Sequence, residues 1–233
     1  MLRQIERKYR NARIWSNREL EKIAPLCNGD VINVSAWRDQ DKEGRCYKEY
    51  FSNARSYSIS NYHESSARGY QEDLSGQLIL DLEQKLSAEL QQHYDVVFNH
   101  TVLEHTFNCQ LALENLCNMS RDMIILVVPF LQETHADYGD YWRFTPQGVD
   151  CLFKHNGYTT AYYSCNDQGK DSIYLFFVAT RSREVSNDLR DVPGNQLDSI
   201  YTRHVGTRLV YNSIIDRIYN KVVKYFVHPT RRV

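Results

Sequence analysis

Two stretches of the chain are apolar almost without a break, "YDVVFNH" at 94–100 and "DMIILVVPF" at 122–130. Runs of this kind predict strands covered on both faces, as in a parallel sheet. Shorter β-branched or aromatic runs predict five more strands, at 30–37, 55–60, 76–82, 158–164 and 171–180. Between them the spacing turns helical. Leu111, Leu113, Leu116 and Met119 mark a helix over 108–120. "TPQGVDCLFKHNG" predicts another, with Thr145 as N-cap, Pro146 at the first position and Gly157 closing it. Helices are also expected within 1–26, ended by Pro25, and over 42–53 and 83–93. Strand–helix alternation that ends in two strands close together predicts an α/β fold. Its sheet is doubly wound, mostly parallel and seven-stranded, with an antiparallel edge strand.

The pattern divides the chain into four parts: a helical segment 1–26, an α/β domain 27–181, a polar linker 182–196, and a tail 197–233. In the tail Val205, Leu209, Ile214, Ile218, Val222 and Phe226 recur at four- or five-residue steps. Seven Lys or Arg face one acid, Asp216, between Arg203 and Val233. This is a basic amphipathic helix, and its apolar stripe needs a cover. A second copy or a partner protein ranks first, the chain's own domain second, and an anionic membrane surface third.

Composition narrows the classes. A chain of 233 residues with 42% hydrophobic and 24% charged content is an ordinary globular sequence, and a formal net charge of -1 gives no call for nucleic acid. No apolar run reaches the roughly 18 residues of a membrane span. The charged start "MLRQIERKYRNARIW" does not read as a signal peptide, so the expected compartment is the cytoplasm, with weak peripheral contact at the inner membrane face through the tail. Six scattered cysteines form no CxxC pair and read as free thiols; no ligand spacing suggests a metal ion.

The chemistry concentrates in "PFLQETHADYGDYWRFTPQGVDCLFKHNGY" (129–158), a loop between a strand and a helix. Doubly wound sheets bind ligands outside the carboxyl ends of their strands, where this loop and "NHTVLEH" are expected to meet. "YDVVFNHTVLEH", a helix, "MIILVVPFL" and the His135–Asp137–Tyr138…"DYWRFTPQG" segment resemble class I S-adenosylmethionine-dependent methyltransferases of the type 11-like group. They are most similar to the branch found with surface-polysaccharide biosynthesis. The resemblance covers about residues 28–180. It implies a Rossmann-like fold, S-adenosylmethionine as cofactor, and methyl transfer to a sugar-containing or polysaccharide-precursor acceptor.

By the same resemblance the "LEH" stretch lines the methyl-donor pocket and the 129–144 loop faces the acceptor. The catalytic candidates are His135, Asp137 and His105, with Asp140 as an alternative base. An imidazole, whose reference pKa is about 6.5, suits proton transfer near neutrality. Tyr138, Tyr141 and Arg143 are candidate acceptor contacts. Read from the residues alone, Arg143 can equally be tied to a carboxylate while Trp142 and Phe144 pack on the sheet, and Glu104 with His105 can be a structural pair. The cofactor candidates are Asn33, Ser35, Trp37, Ser60, Asn61, Asp81, Leu82 and Asn99.

The chain also departs from the family it resembles. Where the family's loop resembles D-x-G-x-G-x-G, this sequence has "INVSAWRD": Asn33 replaces the acid, and Ser35, Trp37 and Asp39 stand at the glycine positions. Side chains there are expected to keep φ negative. Ser60 and Asn61 replace the acid that meets the ribose hydroxyls. Two functions therefore stay open: the methyltransferase, or a degenerate module of the same fold that binds or scaffolds with a polysaccharide-biosynthesis partner.

Overall fold

The structure, a computed structural model, describes residues 10–62, 77–135, 139–167 and 172–206. Helix α1 (Arg10–Ile23) comes first and runs into a 3-10 turn, Ala24–Leu26, that contains Pro25. The elements that follow are β1 (Gly29–Val34), β2 (Ala54–Asn61), β3 (Leu78–Ile79), β4 (Tyr94–His100), α2 (Cys109–Met119), β5 (Ser120–Leu131), α3 (Pro146–His155), β6 (Thr159–Cys165), β7 (Ile173–Thr180) and α4 (Arg183–Arg190). The seven strands form one sheet in the order β3-β2-β1-β4-β5-β7-β6. Pairings from β3 through β5 are parallel; β7 is antiparallel to both of its neighbours, one place in from the β6 edge. The winding changes direction between β1 and β4, which opens a crevice at their carboxyl ends.

Alternation along the apolar strands builds two cores. On one face Val97, Ile124, Leu126 and Val128 meet Leu113 and Leu116 of α2 and Phe153 of α3. On the other Val96, Phe98, Ile125 and Val127 meet Leu20 and Ile23 of α1 and Leu189 of α4. Burying each such side chain contributes about 1.5–3 kcal/mol, and β4, β5 and the wholly buried β7 form the centre of the sheet's packing. The α3 caps follow the sequence pattern. Thr145 Oγ1 accepts from Gly148 N at 3.1 Å, and Gly157 closes the helix at φ 76°.

Several sequence expectations are corrected. Residues 42–53 form turns and a 3-10 turn, Tyr47–Tyr50, instead of a helix. Asp41 Oδ1 accepts from the backbone N–H of Glu43 and Arg45, which diverts those donors from helical bonding. Residues 83–93 also lack an α-helix and contain only the 3-10 turn Ala88–Leu90. Asn115 of α2 binds the carbonyls of Leu82 and Gln84 and holds the start of that segment open. The strand expected over 76–82 reduces to Leu78–Ile79.

The linker 182–196 contains α4, capped by Ser182, and belongs to the domain. After it, Asn195 and Gln196 bond to the outer backbone of β6: Asn195 Nδ2 donates to Ala161 O, Tyr163 N donates to Asn195 Oδ1, and Gln196 N donates to Tyr163 O. The start of the tail lies on its own domain. Ile200 is buried, and the Tyr201 hydroxyl donates to Asp150 of α3. Residues 1–9 and the tail from Thr207 onward, with most of its apolar stripe, lie outside the described residues. All six cysteines are unpaired. No helix among the described residues is long and apolar enough to cross a membrane.

Candidate functional site

The crevice between β1 and β4 is closed at its base by Asn99. Its Nδ2 donates to Val34 O at 3.1 Å, while its Oδ1 is buried with no hydrogen-bond partner. Thr101 follows at φ 53°, and its hydroxyl oxygen accepts from Arg13 of α1 at 2.7 Å.

Beside it, the loop after β1 contradicts the expectation of negative φ. Ser35, Trp37 and Asp39 have φ of 59°, 51° and 53°. The backbone keeps an alternating left-handed course without a single glycine. Such conformations cost roughly 1–3 kcal/mol each in non-glycine residues and persist only where surroundings fix them. Here three side chains fix them, those of Asp39, Asn61 and Ser60. The buried Asp39 carboxylate accepts from Asn33 Nδ2 (2.8 Å), Tyr57 Oη (2.7 Å), Cys46 Sγ (2.8 Å) and Lys48 N (3.3 Å). Burial, together with the Asp39 bond, pushes the Cys46 thiol up to about 11, so it stays a donor. Asn61 clamps Trp37 at both ends, accepting from its N–H at 2.6 Å and donating to its carbonyl at 3.1 Å. Ser60 Oγ accepts from Ser35 N at 3.2 Å.

The cofactor candidates are thus gathered in one place, but Asn33, Ser60 and Asn61 spend their side chains on the loop itself. The Trp37 ring is half exposed, with the Arg38 guanidinium 5.1 Å from its centroid. Asp81 Oδ1 accepts from Glu83 N at 2.8 Å, and Leu82 is buried.

On the other side of β4, the loop after β5 is sewn to the "LEH" turn. Tyr141 N and Trp142 N both donate to Glu104 O, at 2.7 and 3.3 Å, and the Trp142 indole N–H donates to Thr106 O at 3.0 Å. Arg143 grips Asp140 with two bonds, 2.5 and 2.8 Å, and reaches the carbonyls of Gln132 and Glu133. Burial raises the Asp140 pKa, but Arg143 and the His135 N–H outweigh it and hold the carboxyl at about 2. Arg143 is therefore a fastener of this loop. Phe144 is buried as expected, whereas Trp142 and Tyr141 stand out from the surface, Tyr141 edge-on to the exposed Phe107 at 5.4 Å. Asp137 and Tyr138 lie outside the described residues.

Inside this frame Glu104, His105 and His135 meet. His105 Nδ1 lies 2.6 Å from Gly139 O, so Nδ1 carries a proton and donates to that carbonyl, while Nε2 lies 3.8 Å from Glu104 Oε1. The two imidazoles are 5.0 Å apart, edge to face. Glu104 has no solvent exposure, and neither carboxylate oxygen has a hydrogen-bond partner. Burial pushes its carboxyl up to about 7; its own backbone N–H and the charges of Arg13 and Arg143 offset this only in part. One donor atom from each of the three residues falls within 4.8 Å of the others. The sequence pairs Glu104 with His105 and offers His135 as a separate candidate; local spacing does not bring His135, thirty residues on from His105, to that pair.

No family model matches the sequence, and no curated protein does. Solved structures do match. A Bacillus halodurans protein described as a methyltransferase is 12% identical, with a TM-score of 0.52, covering 70% of this chain and 97% of its own. A Haloferax volcanii protein described as a methyltransferase, in complex with the Trm112 methyltransferase activator, is 11% identical, with a TM-score of 0.53 over 75% of this chain and 92% of its own. The Burkholderia thailandensis 1,6-didemethyltoxoflavin-N1-methyltransferase, with S-adenosylhomocysteine bound, is 11% identical, with a TM-score of 0.50 over 75% of this chain and 84% of its own. The fold is the Rossmann-like fold of class I methyltransferases.

Proposed function

We propose that this chain transfers a methyl group from S-adenosylmethionine to a small, sugar-containing acceptor of the polysaccharide-precursor type. The observation that carries the reading is the left-handed course at Ser35, Trp37 and Asp39, held against its conformational cost beside the unpartnered Asn99 Oδ1. A strained backbone at the switch point of a doubly wound sheet fits a loop shaped for a ligand. The backbone of 35–39, Asn99 and Asp81 would hold the cofactor. The end of β2 fits it less well, since Ser60 and Asn61 are turned to the loop and no acid stands there for the ribose.

When bound, S-adenosylmethionine supplies a sulfonium-activated methyl group. The chain's part is to place the acceptor in line and keep water out, which can lower a barrier by several kcal/mol. As the acceptor oxygen–carbon bond forms and the sulfur–carbon bond breaks, the acceptor loses a proton. We assign His135, His105 and Asp137 to the group that handles it. Phe107, Tyr141 and Trp142, exposed around the "LEH" turn, suit stacking against a sugar ring. The tail beyond Gly206 we assign to association, with a second copy or a partner protein ahead of a membrane surface. Truncation there should change the mass in light scattering if that assignment holds.

The second reading, a binding or scaffold module, is favoured by one observation: the polar side chains at the end of β2 satisfy the protein itself. Titration calorimetry with S-adenosylmethionine and S-adenosylhomocysteine decides between them. Saturable heat supports the enzyme. No heat and no thermal shift at millimolar ligand would remove it and leave the scaffold.

A further inference from the structure

We propose that Glu104, His105 and His135 bind one divalent transition-metal ion at the carboxyl ends of β4 and β5. Three observations converge on it. First, one donor atom from each residue lies within 4.8 Å of the other two. Nitrogen and oxygen ligands stand about 2.0–2.2 Å from such an ion. In a tetrahedral arrangement two such ligands stand about 3.4 Å apart, so the widest gap must close by roughly 1.4 Å, which rotation of the three side chains would have to supply.

Second, His105 is already oriented as a ligand. Its Nδ1–H is anchored on the Gly139 carbonyl, which fixes the ring's orientation with Nε2 on the side of Glu104 Oε1, 3.8 Å away. A ligating imidazole usually has this backing from a carbonyl or carboxylate. His135 has a similar neighbour, Asp140 Oδ2, 3.4 Å from Nδ1, which favours Nε2 as its ligand atom. The Gln132 amide, 3.3 Å from that Nε2, would swing aside.

Third, Glu104 has a carboxylate with no solvent contact and no hydrogen-bond partner at either oxygen. Buried polar atoms are rarely left so, and an ion held by the same carboxylate supplies what is missing. The charges of Arg13 and Arg143 reach Glu104 without a hydrogen bond to either oxygen, Arg13 being bonded to Thr101 and Arg143 to Asp140. Two imidazoles and one carboxylate select zinc, manganese, cobalt or ferrous iron over magnesium or calcium, which prefer all-oxygen shells.

The ion site stands on this geometry alone. Its role in chemistry rests on the proposed methyl transfer: an ion there would bind the acceptor hydroxyl and lower its pKa. Because it would occupy both imidazoles as ligands, it would replace them as the group that handles the proton, which would leave to solvent.

The test uses full-length protein stripped with chelator and titrated with cobalt(II), without any methyl donor. Wild type should take up one ion per chain, with visible d–d absorption and no thiolate charge-transfer band. Glu104→Gln and His135→Ala should each bind at least tenfold more weakly, while His155→Ala, on the exposed end of α3, should bind like wild type. Melting curves confirm that each variant is folded; if Glu104→Gln does not fold, His135→Ala carries the test. Absence of uptake, unchanged affinity in the folded variants, or a thiolate band would overturn the site. Ion binding without methyl transfer would overturn the function and leave the site standing.

Discussion

The loops on the two sides of β4 are both rich in polar groups, yet they treat them in opposite ways. On the β1 side Asn33 and Asp39 bond to each other while Ser60 and Asn61 bond to the loop's own backbone, and the loop's strained course is their product. On the β5 side Asp140 and Arg143 close an equally tight frame, but Glu104 is left inside it with nothing to bond. A closed polar network specifies a shape. An unsatisfied group enclosed by one specifies a ligand, because its desolvation is a standing cost until something arrives.

Substitutions can break or sharpen this contrast. The largest effect is expected from Asp39→Ala, which orphans the donors of Asn33, Tyr57 and Cys46 together. Each orphan costs about 1–3 kcal/mol, so urea denaturation should show a loss above about 3 kcal/mol. A loss under about 1 kcal/mol would mean the loop's shape has another source. Asn61→Ala comes next. It removes both bonds to Trp37 and should cost about 1–3 kcal/mol, with β2 amides near it exchanging faster by hydrogen exchange.

Across β4 the sign should reverse. Glu104→Met removes an unsatisfied carboxylate and should stabilise the fold by about 1 kcal/mol, while abolishing cobalt uptake. Equal destabilisation by the two Glu104 and Asn61 variants would erase the distinction. The smallest change is Trp37→Gly. Relief of the left-handed strain, set against glycine's entropy, should leave stability within about 1 kcal/mol of wild type. A drop of several kcal/mol would show the half-exposed indole to be a packing residue.

The apolar strands β4 and β5 and the capped helix α3 were legible because local pattern and tertiary burial agree there. Residues 42–53 and 83–93 were not, since helix-like composition was overridden by side chains such as Asp41 and Asn115 that bind backbone groups. For the loop after β1 the expectation of negative φ fails, because Ser35, Trp37 and Asp39 are all left-handed. Sequence shows a tryptophan at 37; it does not show that Asn61, twenty-four positions on, holds its backbone at positive φ. The Glu104–His105–His135 group stayed hidden for a similar reason, because what defines it is the emptiness around one carboxylate.

The bonds that Asn195 and Gln196 make to β6 have a consequence for how copies of this molecule can meet. An open sheet ends in a row of backbone groups that any extended chain can join, the usual seed of fibrils and swapped dimers. Here Ala161 O and both Tyr163 backbone groups are already taken. The β6 margin is a finished hem, so assembly through continuous β-pairing is discouraged there. A shortened chain that stops at Thr180 should precipitate as strand-rich aggregate where the full one stays dispersed.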